Sequence, residues 1–137
     1  MEIRFEPIGY VRNAYRDKRP PSWQGTTSRI EIDRRWAEAL GGLEGFSHIV
    51  VLCYLDRSHG QDMPLFIQPQ RNPLMPLVGF WGTRTPIRPN PIAMTVVPLA
   101  DRQDNVLTVR NLDMYDGTPV LDIKAASPRF DEGHPND

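Results

Sequence analysis

The sequence predicts a mostly β fold: a small closed or partly open β-barrel with one short helix and long loops. Three observations predict it. Short extended runs recur between turn signals, a single segment carries both helix start and stop residues, and the strand–helix alternation of a doubly wound sheet is missing. The 14 prolines and 10 glycines are spread through 137 residues without low-complexity clustering, which suits turn-rich globular structure and not disorder. At this length one domain over residues 1–137 is expected, burying about two thirds of its unfolded surface.

Ile3, Phe5, Ile8 and Val11 alternate with polar residues, and Pro7 and Gly9 interrupt the pattern, so an edge strand or a bulge is expected up to Arg12. Asn13 to Thr27 is a polar loop in which Trp23 is either a stacking surface for a ring or a plug for the barrel end. Ser28 to Ile32 alternates into a short strand. Asp33 can cap a short helix over Arg34 to Leu40, which Gly41 and Gly42 stop. Leu43 to Asp56 turns and then runs through β-branched and aromatic residues, the pattern of a strand buried on both faces. His48 at its entry reads as a structural hydrogen-bonding residue. Arg57 to Leu77, with Pro64, Pro69, Pro73 and Pro76, reads as a long covering loop. Ile92 to Leu99 and Val106 to Asn111 are hairpin partners around a turn at Asp101 to Asn105. Asp116-Gly117-Thr118-Pro119 is a strong turn signal, Val120 to Lys124 is the last strand, and the tail after Ser127 reads as frayed.

The stretch Gly79 to Thr95 stands apart from these elements. It packs Arg84 and Arg88, Pro86, Pro89 and Pro91, and Asn90 between an aromatic pair and an apolar strand. Each proline fixes its own φ and biases the residue before it away from helix, so the loop is stiff. A stiff loop holding two planar guanidiniums is preorganised for a carboxylate or phosphate, because little ordering entropy remains to be lost. The other reading of the same residues is a surface connector with solvated arginines.

Lys plus Arg total 16 against 17 for Asp plus Glu, a net charge of -1, which excludes a global basic field and leaves any RNA contact to a local patch. The single cysteine, Cys53, sits in an apolar run as a small buried hydrophobe, and without Cys or His partners at ligand spacing no metal is expected. There is no basic and apolar leader, and no apolar run approaches the ~20 residues that span a bilayer, so no membrane contact and a cytoplasmic protein are expected.

Four motifs carry more than composition does. F-x-P-I-G-x-V at Phe5 to Val11, G-L-E-G-F-S-H-I at Gly42 to Ile49, T-R-T-P-I-R-P-N-P-I at Thr83 to Ile92 and D-G-T-P-V-L-D-I-K at Asp116 to Lys124 occur in that order over nearly all of the chain. Together they resemble the TsaA-like (TrmO) family. The resemblance implies an S-adenosylmethionine-dependent methyltransferase on a small β-barrel, acting as a homodimer on tRNA. Its typical substrate is the N6-threonylcarbamoyl-modified adenosine beside the anticodon. Carried over by motif, the cofactor contacts fall on Gln24, Gly25, Arg84, Met94, Asp116, Gly117, Thr118 and Pro119. Arg88, Asn90 and Lys124 are the candidates for positioning the nucleotide, and Asp116 and Asp122 for taking its proton. Local readings stand beside these: Asn90 as a turn former, Asp122 and Lys124 as a strand-edge ion pair. Leu55-Asp56 stands where the family has an aromatic-His step, Ala93 where it has Gly, and no C-terminal extension follows D-I-K as in longer members. The competing expectations are a methyltransferase acting on a small metabolite and a noncatalytic S-adenosylmethionine-binding protein.

Overall fold

The computed structural model describes residues 1–69 and 72–133. Its strands are β1 (Gly9–Arg12), β2 (Thr27–Ile32), β3 (His48–Tyr54), β4 (Phe66–Ile67), β5 (Val78–Gly79), β6 (Ile92–Gln103), β7 (Val106–Arg110) and β8 (Pro119–Ala125). Six of them close a barrel in the order β1-β2-β7-β6-β3-β8, every pairing antiparallel. Closure is favoured because it leaves no unpaired strand edge running round the sheet. Period-two alternation sets the inside and outside of the wall. Val11, Ile30, Val51, Val97, Leu107 and Val120 point inward and are fully buried, while Tyr10, Arg12, Arg29 and Arg110 point out.

β1 is a wall strand and not the edge strand expected from Pro7 and Gly9. It pairs with β2 over its whole length and with β8 at Gly9 and Tyr10. Pro7 does not break the wall because it precedes it. Gly9 is required by a close approach: a Cβ added there would fall on the carbonyl oxygen of Glu31 in the neighbouring strand. Gly9→Ala is expected to destabilise the fold by about 2 kcal/mol through overpacking against backbone, measured as a lower urea midpoint at unchanged m-value.

The segment Arg34–Leu40 is a 3-10 helix, capped as expected by Asp33, whose carboxylate accepts from the Arg35 N–H at 3.0 Å. Seven residues with one buried side chain, Leu40, give too little apolar face to hold a regular α-helix against the barrel. β6 extends through Asp101 to Gln103, beyond the expected Leu99, because a register shift between Leu99 and Asp101 lets the ladder with β7 continue. The turn shrinks to Asp104 and Asn105, with Asp104 at φ 55. Arg57 to Leu77 is not wholly irregular, since β4 pairs with β5 in a separate two-stranded arm. A four-residue α-helix, α1 (Pro128–Asp131), replaces part of the expected frayed tail. Asp131 closes it by accepting from the Ser127 N–H at 2.8 Å, and the final residues of that tail lie outside the described residues.

β3 is buried on its inner face at Ile49, Val51 and Cys53 and on its outer face at Val50, with Leu52 and Tyr54 half-buried. Burial pushes the Cys53 thiol up to about 12 from 9.0, with the Asp113 carboxylate as the second cause. The unfolded chain therefore releases this proton at lower pH than the folded one. Stability from this group is complete below pH 9 and is lost as pH rises toward 12, by about 1.4 kcal/mol at pH 10. Denaturant titrations at pH 8 and pH 10 are expected to differ less in Cys53→Ala than in the wild type by about that amount.

Candidate functional site

The site is created by a mismatch of strand lengths. Along Ile92 to Tyr54 and Val96 to Val50, β6 pairs with β3, but β7 covers β6 only from Leu99 to Gln103. The first half of β6 thus has one open side, and a cavity of about 1090 Å³ lies there. The loop Thr83–Asn90 forms one flank and Asp113–Tyr115, leaving β7, the other. An open strand edge presents backbone N–H and C=O groups of alternate residues, the recognition pattern that a planar heterocycle needs. The carbonyl of Met94 faces this side, where the Arg84 guanidinium donates to it at 3.4 Å.

The proline-rich loop is rigid for reasons beyond its prolines. Thr83 Oγ1 donates to the Phe80 carbonyl at 2.8 Å and accepts from the Thr85 N–H, while Thr85 Oγ1 accepts from the Ile87 N–H. Arg88 braces the same turn: its Nη1 donates to the carbonyls of Thr83 and Thr85, both at 3.3 Å, and its guanidinium lies 5.6 Å from the Trp81 ring. Among the described residues Arg84 makes one long bond, and it is exposed, so donors remain for a ligand.

The opposite flank is fastened to β1 and β2. Gly117, at φ 87, donates its N–H to the Val11 carbonyl at 2.7 Å, and Asp116 Oδ1 accepts from the Asn13 N–H at 2.9 Å. Asn13 Nδ2 donates to Ser28 Oγ at 3.0 Å and to the Met114 carbonyl at 2.9 Å. Thr118 Oγ1 donates to the Tyr115 carbonyl. Trp23 packs edge-on between Tyr15 and Tyr115, and Arg57 lies 4.6 Å from the Tyr115 ring. Trp23 also lines the cavity.

Arg84, Met94, Thr118, Arg88 and Asn90 all line this one cavity. The Arg84 loop and the turn after Asp116 therefore meet, although separated in the chain. Gln24 and Gly25 are not among the lining residues, and the Gly25 N–H donates to Asn111 Oδ1 at 2.7 Å. Asp116, Gly117 and Pro119 are not among the lining residues either, and the Asp116 carboxylate is engaged by Asn13. Asp122 and Lys124 pair with each other at 2.9 Å on β8 and are not among the lining residues. The carboxylates that line the cavity are Asp56, which stands where the family has a histidine, and Asp113, which no motif singled out. Asp113 accepts from Thr95 Oγ1 at 3.1 Å across the open side of β6. No spacing marked Asp113, because its partner on β6 is 18 residues away. Arg19, Arg57, Arg84 and Arg88 outnumber the two carboxylates, so the cavity favours a ligand with an anionic end.

Among the described residues no group of three or more metal-ligating side chains stands together, and no helix is long and apolar enough to cross a membrane.

The family model of the tRNA-methyltransferase O N-terminal domain matches residues 11–132. A probable S-adenosyl-L-methionine-binding protein of Pyrococcus abyssi is 33% identical, the match covering 96% of this chain and 72% of the relative. A tRNA (adenine(37)-N6)-methyltransferase of Escherichia coli is 31% identical over 98% of this chain and 61% of the relative. A crystal structure of TrmO from Pseudomonas aeruginosa superposes with a TM-score of 0.75 at 28% identity, covering 100% of this chain and 61% of that one. The chain thus spans less than two thirds of the length of both bacterial TrmO-type proteins.

Proposed function

Because the chain belongs to the tRNA-methyltransferase O N-terminal domain family, we propose that it binds S-adenosylmethionine in the cavity beside β6 and methylates N6 of an adenosine next to the tRNA anticodon. The acceptor in this reading is N6-threonylcarbamoyladenosine. One observation carries it: the braced Arg84 loop and the Asp113–Thr118 segment face each other across a cavity at an open strand edge.

In this reading Arg84 takes the methionine carboxylate of the cofactor through its free donors. The exposed edge at Met94 meets the adenine, with Ile92 and Val96 as apolar walls. Asp113 or Asp56 accepts from the ribose hydroxyls or takes the proton of the acceptor nitrogen. Asp116 acts by holding Asn13 and hence the cavity wall, a positioning role. S-adenosylmethionine held there would supply an electrophilic methyl group for in-line transfer to N6, and Asp113 or Asp56 would take up the proton that N6 gives up. Alignment is the main contribution of the protein, because positive charge disperses in the transition state and needs no new counter-charge.

The arm of β4 and β5 exposes Leu65, Phe66, Leu74, Leu77 and Trp81. Exposed apolar side chains so close in sequence are a place for association, and a second copy of the chain is the expected occupant. Light scattering giving a monomer mass at micromolar concentration overturns the dimer.

The test of the activity is mass spectrometry of nucleosides from tRNA lacking the N6-methyl group, incubated with the protein and isotopically labelled cofactor. One labelled methyl on threonylcarbamoyladenosine is expected. Transfer only to small molecules overturns the acceptor, and cofactor binding without any transfer overturns the enzyme.

A further inference from the structure

The outer face of β1, β2 and β7, remote from the cofactor cavity in its lining residues, is strongly basic. Antiparallel register sets Arg12 directly opposite Arg29, and Arg110 opposite Thr27, two positions along the same face of β2. Directly opposed like charges destabilise a sheet, so this pair has no stabilising role in the free protein. Its carboxylate neighbour is Glu31, 3.8 Å from Arg12. Among the described residues Arg29 and Arg110 make no ion pair. Between the two arginines lies a hollow of about 380 Å³ whose wall also includes Asn13, Ala14 and Thr27. The loop that follows β1 continues the same charge through exposed Arg16, Lys18 and Arg19, with Asp17 as the one acid from Arg12 to Arg29, and Arg19 reaches the rim of the cofactor cavity. In a chain of net charge -1 this concentration is a segregation of charge and not a consequence of composition.

We propose that this face is a docking surface for the sugar–phosphate backbone of RNA, with a phosphate seated in the Arg12–Arg29 hollow and the strand led along the Arg16–Arg19 loop toward the cavity. Guanidiniums suit the role because their planar fork takes two phosphate oxygens at once. A backbone contact of this type positions the polymer without reading sequence, which leaves recognition of the modified base to the cavity. The choice of RNA as the polyanion rests on the tRNA reading above; the charge and register do not.

The test measures anisotropy of fluorescently labelled, unmodified tRNA against salt concentration for the wild type, for Arg12→Gln/Arg29→Gln/Arg110→Gln, and for a control, Arg4→Gln/Arg34→Gln/Arg35→Gln, on other surfaces. The first triple variant is expected to bind at least tenfold more weakly near 0.1 M salt and to lose about 2 to 3 units of the slope of log K against log salt, one for each lost phosphate contact. Cofactor affinity by calorimetry and the thermal midpoint are expected to stay close to the wild type, since these side chains touch neither core nor cavity. An unchanged slope, or an equal loss in the control, overturns the docking surface. So does a wild type that binds phosphatidylserine vesicles and not tRNA. Methyl transfer to tRNA with an unchanged slope sinks this surface alone, whereas the expected slope change without methyl transfer sinks the acceptor reading alone.

Discussion

Arg84→Ala is expected to weaken S-adenosylmethionine binding roughly thirtyfold, a loss of about 2 kcal/mol, because a charged hydrogen-bond partner of the methionine carboxylate disappears. Among the described residues Arg84 makes one bond, of 3.4 Å to the Met94 carbonyl, and it is otherwise exposed, so little there holds it in the absence of a ligand. Removing it should leave the thermal midpoint of the unliganded protein almost unchanged while calorimetric affinity falls. Arg84→Lys keeps the charge and loses the fork, and an intermediate affinity is expected. Arg88→Ala is the contrasting variant. Arg88 is bonded to Thr83 and Thr85 and packed over Trp81, so its loss should lower the midpoint as well as the affinity. Wild-type affinity in Arg84→Ala would remove this residue from the site.

Asn13→Ala is expected to destabilise the fold by about 3 kcal/mol, since three side-chain hydrogen bonds of about 1 kcal/mol each are lost and their partners are partly buried. Those bonds run from Nδ2 to Ser28 Oγ and the Met114 carbonyl, and from the Tyr15 N–H to Oδ1. They join the end of β1 to β2 and to the segment carrying Asp113 and Tyr115, so the cavity wall loosens with the fold. The thermal midpoint should drop by roughly 10 °C for a chain of this size. Asn13→Asp separates shape from hydrogen bonding. It preserves the acceptor for Tyr15 but replaces both donors with a carboxylate facing the Met114 carbonyl, and it should be no more stable than the alanine variant at neutral pH. A midpoint within a degree or two of the wild type in both would show that the clip contributes nothing.

Much of the barrel was legible because its causes are local. Alternation in Thr27–Ile32 and in Val106–Arg110, the β-branched run of β3, and the glycine and proline turns each record which face of the chain is dry. The same locality explains the failures. Nothing near Gly9 says that its strand has a neighbour on each side, because β8 lies more than a hundred residues on, and nothing in Arg34–Leu40 announces a 3-10 helix, because the choice depends on how little apolar surface is docked beneath it.

The candidate site divides along the same line. By itself the sequence determined a stiff loop around Arg84, since proline restricts φ wherever it stands, and it determined the motif likeness that places the chain in its family. Only the tertiary structure decided that β6 outruns β7, that a cavity opens in the gap, and that Asp113 and Asp56 rather than Asp116 and Asp122 face it. The reason is physical: whether a carboxylate is free for chemistry depends on its partners. Asp116 is bound to Asn13 across 103 positions and Asp122 to Lys124 on its own strand, and only the folded chain brings a donor across the first of those separations.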